Sequence, residues 1–421
     1  MENEEKEIWE LSCRHQRIQT VMHYVNRNSL VEEHHRQYGN KASGVDRETK
    51  DSYGSNLEEN ISDLLKRMKS FSYRPKPVRR TYIPKMNGKL RPLGIPSYED
   101  KLVQGVMARV LNNIYEPRFL ECSYGFRHNK NCHEVIRNIN TTIYRQPMGW
   151  VVEADIKGYF DAIDHTWLMK FLEHDIQDKN FLRYVVRFLK AGIIEDGILR
   201  ESERGSPQGG LISPVLANVY LHYVLDLWFE KVVKPRMRGQ AHLFRYADDF
   251  LVLFQHEGDA RKFYEALPKR LAKFNLEVAE DKTRMIRFGR GTGSKETFDF
   301  LGFTHINGRT KNGNYAIVHR TSKKKLKMKE QAVKQWLRWN MHRSVREIFR
   351  GLNRRLVGHY QYYGVSGNSK GIGKFYYYCV RTLFKTLRRR GQKHRINWEI
   401  FKRMIHDIGL APPRICVNIW N

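Results

Sequence analysis

The chain has 421 residues, 41% of them hydrophobic, and a formal net charge of +30 from 75 basic against 45 acidic residues. This length can bury more than one core, and the charge makes a polyanion such as nucleic acid the expected partner. No apolar stretch of about 18 residues is present, and the five cysteines lack zinc-ligand spacing. We therefore expect an intracellular protein with no membrane partner.

Changes of pattern along the chain predict four consecutive domains. Residues 1–75 are expected to be mostly helical. Residues 76–318 begin with extended, proline-punctuated segments and an amphipathic run from Asp100 to Tyr115, and then mix strands with helices. Residues 319–387 predict a helical domain, and residues 388–421 a basic carboxy-terminal segment.

The last quarter of the chain is the most basic. Residues 320–421 contain 25 lysines and arginines and four acidic residues, so they carry +21 of the net charge. The glycine-rich stretch Gly367–Phe375 fails the phosphate-binding loop pattern and is predicted to be a joint between helices. The predicted helices are Lys323–Trp339, Ser344–Tyr363 and Lys374–Arg390.

Two acidic segments carry the chemistry. Residues 151–156 predict a short strand that ends at Asp155, where the chain turns. Glu153 shares its strand parity and competes for the same role. Downstream, Asp248 and Asp249 lie between two apolar runs typical of a hairpin, and the alternative is an ordinary aspartate-containing turn. Carboxylates from separate elements that converge on two metal ions are what two-metal phosphoryl transfer requires.

Strand parity separates the two adjacent aspartates. Successive strand residues point to opposite faces, so we expect Asp248 to be the direct metal ligand and Asp249 to be secondary. Asp161 and Asp164 are predicted only to begin the following helix. The stretch Gly205–Pro214 predicts a turn-rich loop that leads into a buried helix from Val215 to Trp228.

These segments together resemble the reverse transcriptases, and within them the bacterial group II intron reverse transcriptase and maturase branch. The resemblance rests on their order and spacing over about 260 residues. Besides the aspartate segments and the Gly205–Pro214 loop, the motifs that carry it are Ser43–Asp46, Ile83–Pro96, Ser123–Arg127, Asn275–Thr283 and Phe300–Phe303. The resemblance implies an α+β right-hand polymerase, in which reverse transcriptase fingers and palm precede an α-helical thumb, or maturase domain. It also implies that the basic segment 388–421 would be a small DNA-binding region.

The resemblance also implies the site residues. Asp155, Asp248 and Asp249 would be catalytic. Two magnesium ions, for which manganese can substitute, would be held by Asp155, Asp248 and the Ile156 carbonyl. The remaining roles concern substrate and nucleic acid. The incoming deoxynucleotide would contact Lys85, Arg91, Phe160 and Gln208, and the Phe160 ring would exclude a ribose 2′-hydroxyl. The primer grip would be formed by Leu301 and Gly302. Nucleic acid would contact Lys282, Arg388, Arg389 and Arg390.

The function implied is an RNA-directed DNA polymerase that copies RNA into cDNA and binds intron RNA to assist splicing and mobility. Its partners would be an RNA template, group II intron RNA above all, a DNA primer or target, and deoxynucleotides, in a bacterial cytoplasm and associated with the nucleoid. No zinc-bearing endonuclease module is recognisable in the sequence. The alternative is an intron-free relative that works in DNA repair or phage defence.

Overall fold

The computed structural model describes residues 2–84, 90–200, 203–206, 209–310, 312–390 and 396–420. Within these ranges the α-helices are α1 (Glu2–Arg14), α2 (Arg27–Arg36), α3 (Lys50–Gly54), α4 (Leu57–Lys69), α5 (Tyr98–Tyr115), α6 (Cys132–Arg145), α7 (Tyr159–Ala162), α8 (His165–Asp175), α9 (Lys179–Leu189), α10 (Ser213–Leu221), α11 (Glu257–Ala272), α12 (Lys323–Trp339), α13 (Val345–Tyr363), α14 (Ser369–Arg388) and α15 (Trp398–Ile408). The strands are β1 (Val78–Pro84), β2 (Leu90–Ile95), β3 (Trp150–Asp155), β4 (Ile193–Glu195), β5 (Ile198–Arg200), β6 (Ala241–Tyr246), β7 (Asp249–Phe254), β8 (Arg284–Arg287), β9 (Thr297–Phe300), β10 (Phe303–Arg309) and β11 (Tyr315–Thr321). No helix among the described residues is long and apolar enough to cross a membrane.

The chain divides into two compact units, each discontinuous in sequence. The first contains Met1–Asn131, Glu153–Val252 and Arg261–Arg284, and the second contains Cys132–Val152, Leu253–Ala260 and Met285–Asn421. The boundaries expected after residues 75, 318 and 387 separate domains with different functions, and a division of the chain into compact units does not test them. They stay a prediction.

The first unit contains the predicted extended segments as a sheet of order β2-β1-β4-β5. Strands β1 and β2 are antiparallel, from Arg79 opposite Ile95 to Pro84 opposite Leu90. Strand β4 joins β1 in parallel. Arg91 lies on β2 and is exposed.

Helix α5 corrects one expectation. The run from Asp100 to Tyr115 was predicted to be amphipathic, whereas most positions of the helix are buried on all sides. The reason is that α1, α2 and α10 of the same unit all pack against it. Even Asp100 is buried, and it accepts hydrogen bonds from the Ser97 hydroxyl (2.5 Å) and the Lys76 amide (3.0 Å). Burial raises the pKa of Asp100 to about 6.

The two acidic segments belong to a sheet of order β6-β7-β3-β8. The Gly149 amide, just before β3, donates to the carbonyl of Phe254 at the end of β7 (2.9 Å). The two strands therefore run antiparallel. Asp155 is the last residue of β3, and Asp248 lies just before the start of its neighbour β7, so both aspartates lie at the same end of the two strands.

In the second unit a sheet of order β11-β10-β9 precedes the helices of the carboxy-terminal region. Helix α12 has the predicted bounds, and α13 begins one residue after Ser344. The Ser344 hydroxyl caps α13, and the Glu347 carboxylate bonds back to the Ser344 amide, a capping box that the sequence signals. The apolar faces of α12, α13 and α14 share one core.

Helix α14 corrects a second expectation, because it begins at Ser369 and not at Lys374. Residues predicted to be a glycine-rich joint are its first turns. The buried Asn368 side chain anchors this start through bonds to Thr321 and to the Tyr363 carbonyl. A Cβ at Gly371 would lie 2.2 Å from the Asn368 Oδ1 atom, so glycine lets the first turn pack against that anchor.

Candidate active site

Asp155 is fixed by backbone hydrogen bonds to a later segment of the first unit. Its carbonyl accepts from the Ala279 amide (2.8 Å), and the Lys157 amide donates to the Glu277 carbonyl (2.9 Å). These two bonds hold the peptides on either side of Ile156. The carboxylate of Asp155 is 21% exposed, which leaves it accessible to a ligand.

Asp248 lies in the turn between β6 and β7, and Asp249 is the first residue of β7. Ala247, which precedes them, has a φ of +58°. This left-handed conformation costs energy in a residue with a side chain and is found where surrounding structure enforces it. The predicted hairpin is confirmed, and both aspartates are half-buried.

Like charges converge at this turn. Burial, followed by the charges of Asp155, Asp248 and Glu153, raises the pKa of Asp249 to about 8. Burial and the charge of Asp155 also raise the pKa of Asp248. The structure therefore brings the three predicted carboxylates within electrostatic reach of one another.

Lys282 is closer to this site than the sequence indicated. Its ammonium group forms an ion pair with Asp155 Oδ2, and this contact raises the pKa of Lys282. The sequence analysis had given it only a contact to nucleic acid. Glu153, the predicted competitor of Asp155, is instead paired with Arg284 (2.9 Å).

Among the described residues, no group of three or more histidine, cysteine, aspartate or glutamate side chains is arranged as a metal site. Magnesium does not require one, since it is commonly held by one or two carboxylates together with substrate phosphates and water. Two observations fit a divalent cation here. Burial and, after it, neighbouring carboxylates raise the pKa of the Asp249 carboxyl, and the Lys282 cation already contacts Asp155.

Beneath the turn lies a residue that the sequence analysis passed over. Arg245, on β6, is completely buried. It donates to both carboxylate oxygens of Asp226, at 2.7 and 2.6 Å, and this partner is also 0% exposed. Asp226 belongs to a π-helical segment, His222–Asp226, that follows α10.

The same guanidinium connects two of the motifs and helix α10. It donates to the Ala247 carbonyl in the turn between β6 and β7 (3.1 Å), to Asn218 Oδ1 on α10 (3.0 Å) and to the Ser123 hydroxyl (2.7 Å). Strand parity could have revealed it, because Ala241, Leu243 and Arg245 share the buried face of β6. The pairing with Asp226 left no local signal in the sequence.

The turn also packs tightly against the Ser123–Arg127 motif. A Cβ at Gly125 would lie 2.3 Å from the Ala247 amide nitrogen, so only glycine fits at that contact. The Asn218 amide donates to the Gly125 carbonyl (2.6 Å). The backbone at Ala247, next to Asp248, is thus bonded to Arg245 and packed against Gly125.

Phe160 lies on α7, five residues after Asp155, and its ring is half-buried. Its carbonyl accepts from the Ser206 amide (2.8 Å), and Gly205 donates to the Ile163 carbonyl (2.7 Å). These bonds join the proposed sugar gate to the start of the Gly205–Pro214 loop. As predicted, Asp164 caps α8.

The residues predicted to contact the nucleotide are only partly described. Lys85 and Gln208 lie outside the described residues. Burial and the charge of Asp155 raise the pKa of Asp248, and the positive charge of Arg91 opposes that rise, which places the Arg91 and Asp248 side chains within electrostatic reach. This proximity agrees with a role for Arg91 at the incoming nucleotide.

The proposed primer grip is a tight hairpin turn in the second unit. Leu301 and Gly302 connect β9 to β10 with φ angles of +50° and +79°. Positive φ at both central residues is typical of a two-residue hairpin loop, but it is costly for a leucine. The Tyr362 hydroxyl donates to the Leu301 carbonyl (2.9 Å), and the Ser322 amide donates to the Gly302 carbonyl (3.0 Å).

The three consecutive arginines occupy the end of α14. Arg388 is its last residue and Arg389 its C-cap. Arg390 donates to the Arg343 carbonyl (2.6 Å). All three residues are exposed, and their contact with nucleic acid stays a prediction.

A family model described as "Reverse transcriptase (RNA-dependent DNA polymerase)" matches residues 83–305, which is more than half of the chain. The chain belongs to the reverse transcriptase family. The predicted family is therefore confirmed, and with it the mixed α and β polymerase fold followed by a helical region.

Curated relatives agree with the group II intron branch. The chain is 35% identical over 266 residues to "Group II intron-encoded protein LtrA" of Lactococcus lactis, which covers 60% of this chain and 44% of that protein. It is 33% identical over 313 residues to "Protein YkfC" of Escherichia coli, covering 66% and 80%. The "Putative COX1/OXI3 intron 1 protein" of Saccharomyces cerevisiae is 34% identical over 203 residues, covering 48% and 24%. The match thus spans less than half the length of LtrA.

Proposed function

We propose that this reverse transcriptase is an active RNA-directed DNA polymerase with a two-metal mechanism. The observation that carries the proposal is the convergence of Asp155, Asp248 and Asp249, with a pKa of Asp249 raised to about 8 by burial and neighbouring carboxylates. Folding places these like charges together at a cost, and a divalent cation would offset it.

Each side chain then has a role in nucleotide addition. Asp155, Asp248 and the Ile156 carbonyl would hold two magnesium ions, with Asp249 beside them. Bound there, magnesium would activate the primer hydroxyl and stabilise charge on the leaving oxygen. Lys282 would leave Asp155 and face the triphosphate, and Arg91 would contact the same phosphates. The Phe160 ring would exclude a ribose 2′-hydroxyl, and the Leu301 turn would hold the primer.

The relatives support a second part of the proposal. "Group II intron-encoded protein LtrA" carries intron association in its name. By analogy, the basic carboxy-terminal quarter of this chain would bind a group II intron RNA and assist its splicing and mobility. A role in repair or phage defence, without an intron, is the competing proposal. Splicing of the RNA that flanks the gene, with and without the protein, separates the two.

Primer extension on an RNA template with magnesium and deoxynucleotides tests the polymerase. We expect Asp248→Ala to abolish nucleotide addition and to leave RNA affinity nearly unchanged, because the carboxylates and the basic surface are separate in sequence. Asp196→Asn is the matched control, since Asp196 lies in the turn between β4 and β5 and its positive φ suits asparagine. Extension by the alanine variant at a rate near wild type would show that the catalytic assignment is wrong.

A further inference from the structure

A groove of about 790 Å³ lies between α13 and α15 in the second unit. One wall carries Arg346, Arg350 and Arg354, which follow one another four residues apart along one side of α13. Successive guanidinium groups are therefore offset by about 6 Å along the helix axis. Such a ladder suits a partner with negative charges repeated at a similar interval.

The three arginines are exposed, and among the described residues none of them has a carboxylate within ion-pair distance. The lining includes one acidic side chain, Asp407, against the three cations. Unpaired arginines in a concave surface attract anions, and the planar fork of arginine suits phosphate. The groove therefore has the charge of a phosphate-binding surface.

Its remaining lining is apolar or neutral. Val357 and Ile408 contribute partly exposed apolar surface, and Gln361 contributes an amide that can both donate and accept. A duplex presents mainly its phosphates and sugars to a protein surface. An unpaired strand also offers base faces that can cover apolar side chains.

A glycine in the groove wall gives an independent indication. Gly351 of α13 is explained by internal packing, because a Cβ there would lie 2.5 Å from the Trp336 ring. Gly358, two turns later, lines the groove, and a Cβ there would meet no atom of the described residues within 4 Å. A glycine inside a helix costs about 1 kcal/mol relative to alanine. Among the described residues no neighbouring side chain accounts for this cost, and close approach of a ligand to the helix would.

We infer that the groove between α13 and α15 binds an unpaired stretch of RNA. The arginine ladder contacts successive phosphates, the apolar floor takes base or ribose faces, and Gln361 bonds to a 2′-hydroxyl. Gly358 leaves room for the strand against the helix. The choice of RNA over DNA rests on the proposed function, whereas the phosphate ladder does not.

The first test uses Gly358→Leu in the full chain. Leucine favours the helix over glycine, so the melting temperature should not fall. The dissociation constant for a fluorescein-labelled, unstructured oligouridylate should nevertheless rise about tenfold, which is about 1.4 kcal/mol. Gly358→Ala, with a single methyl group, should lose much less affinity. Unchanged affinity in a folded leucine variant would overturn the inference.

The second test neutralises the ladder with Arg346→Gln, Arg350→Gln and Arg354→Gln together. If three phosphate contacts are lost, the log–log salt slope for oligouridylate binding should become shallower by about 2. The charge-matched control replaces the exposed Lys262, Lys269 and Lys273 by glutamine at α11 and just after it. An equal loss in the control would mean diffuse attraction and would refute the groove.

Two further probes test the form of the strand. An equal effect of the groove variants on duplex RNA would refute the preference for an unpaired strand. An equal effect on oligodeoxyuridylate would refute the preference for RNA. Primer extension by the wild-type enzyme is measured separately, so a failure of the proposed polymerase function would leave these binding comparisons intact.

Discussion

The buried pair of Arg245 and Asp226 makes a prediction whose size follows from the structure. We expect Asp226→Asn to destabilise the first unit strongly. Both side chains are 0% exposed, and the carboxylate accepts two guanidinium hydrogen bonds. Asparagine keeps the shape of the aspartate side chain, but its NH2 group replaces one carboxylate oxygen. That NH2 group is a donor, and it would face an N–H donor of the Arg245 guanidinium. The guanidinium also loses its only buried counter-charge among its described partners.

Removing one partner of a buried ion pair costs about 3–5 kcal/mol, because a charge stays buried without compensation. The free energy of unfolding of a native protein is about 5–15 kcal/mol, so this loss is a large fraction of the total stability. With an m-value of about 3 kcal/mol per molar urea, the unfolding midpoint should fall by about 1–2 M. Circular dichroism during a urea titration measures it.

A surface pair is the control. Arg27 and Glu58 are 61% and 63% exposed, and Glu58→Gln should change stability by about 1 kcal/mol or less. The double variant Arg245→Met with Asp226→Leu should regain part of the lost stability, since an apolar pair can replace a buried ion pair but leaves Asn218, Ala247 and Ser123 without their donor. A fall of the same size for Glu58→Gln and Asp226→Asn would refute the reasoning.

The double variant also separates stability from positioning. It removes the bond from Arg245 to the Ala247 carbonyl, which holds the turn that carries Asp248. We therefore expect kcat of primer extension to fall while KM for deoxynucleotide changes little. A stable double variant with wild-type kcat would show that Arg245 contributes to folding alone and is not a positioning residue.

Three other predictions concern the site and the carboxy-terminal region. Because the pKa of Asp249 is raised, the folded, metal-free protein keeps a proton that the unfolded chain releases, so its stability should fall as pH rises from about 4 towards about 8. In thermal melts, Asp249→Asn should flatten this dependence of stability on pH. An unflattened curve would contradict the assignment of the pKa to Asp249. Phe160→Val should relax discrimination against ribonucleotides in single-nucleotide incorporation, and an unchanged preference would remove Phe160 from the gate. Replacing Arg388, Arg389 and Arg390 by glutamine should make the salt dependence of nucleic-acid binding shallower, by about 0.7 per lost contact on single strands; an unchanged slope would indicate a solvated helix end.

Local sequence signals predicted much of the fold. The hairpin around Asp248 and the bounds of α12 follow from apolar runs and helix-start residues that a single segment contains. Motif order led to the family. Helix α14 was predicted to begin too late because its glycines look like a break, whereas Asn368 and its long-range partner Thr321 support the helix start.

Long-range contacts explain what the sequence did not predict. Lys282 and Asp155 are 127 residues apart, and no local pattern indicates that they form an ion pair. The groove needs α13 and α15 side by side, and their arginines have no distinctive spacing beyond an ordinary exposed helix face. Gly358 becomes informative only once its surroundings are known to be open.

Two charged clusters lie next to each other in the first unit, and they differ in how completely the protein satisfies them. The Arg245 guanidinium has acceptors from four residues and a buried counter-ion, so folding alone completes it. At Asp249 folding leaves the negative charge uncompensated, since burial and neighbouring carboxylates raise its pKa to about 8. Sequence letters do not distinguish the two, because each is a charged residue beside an apolar run. The hydrogen bonds of Arg245 fix the turn that carries Asp248 and Asp249. Because this turn is rigid, the carboxylates cannot move apart to reduce their repulsion, and they can therefore respond to an incoming cation.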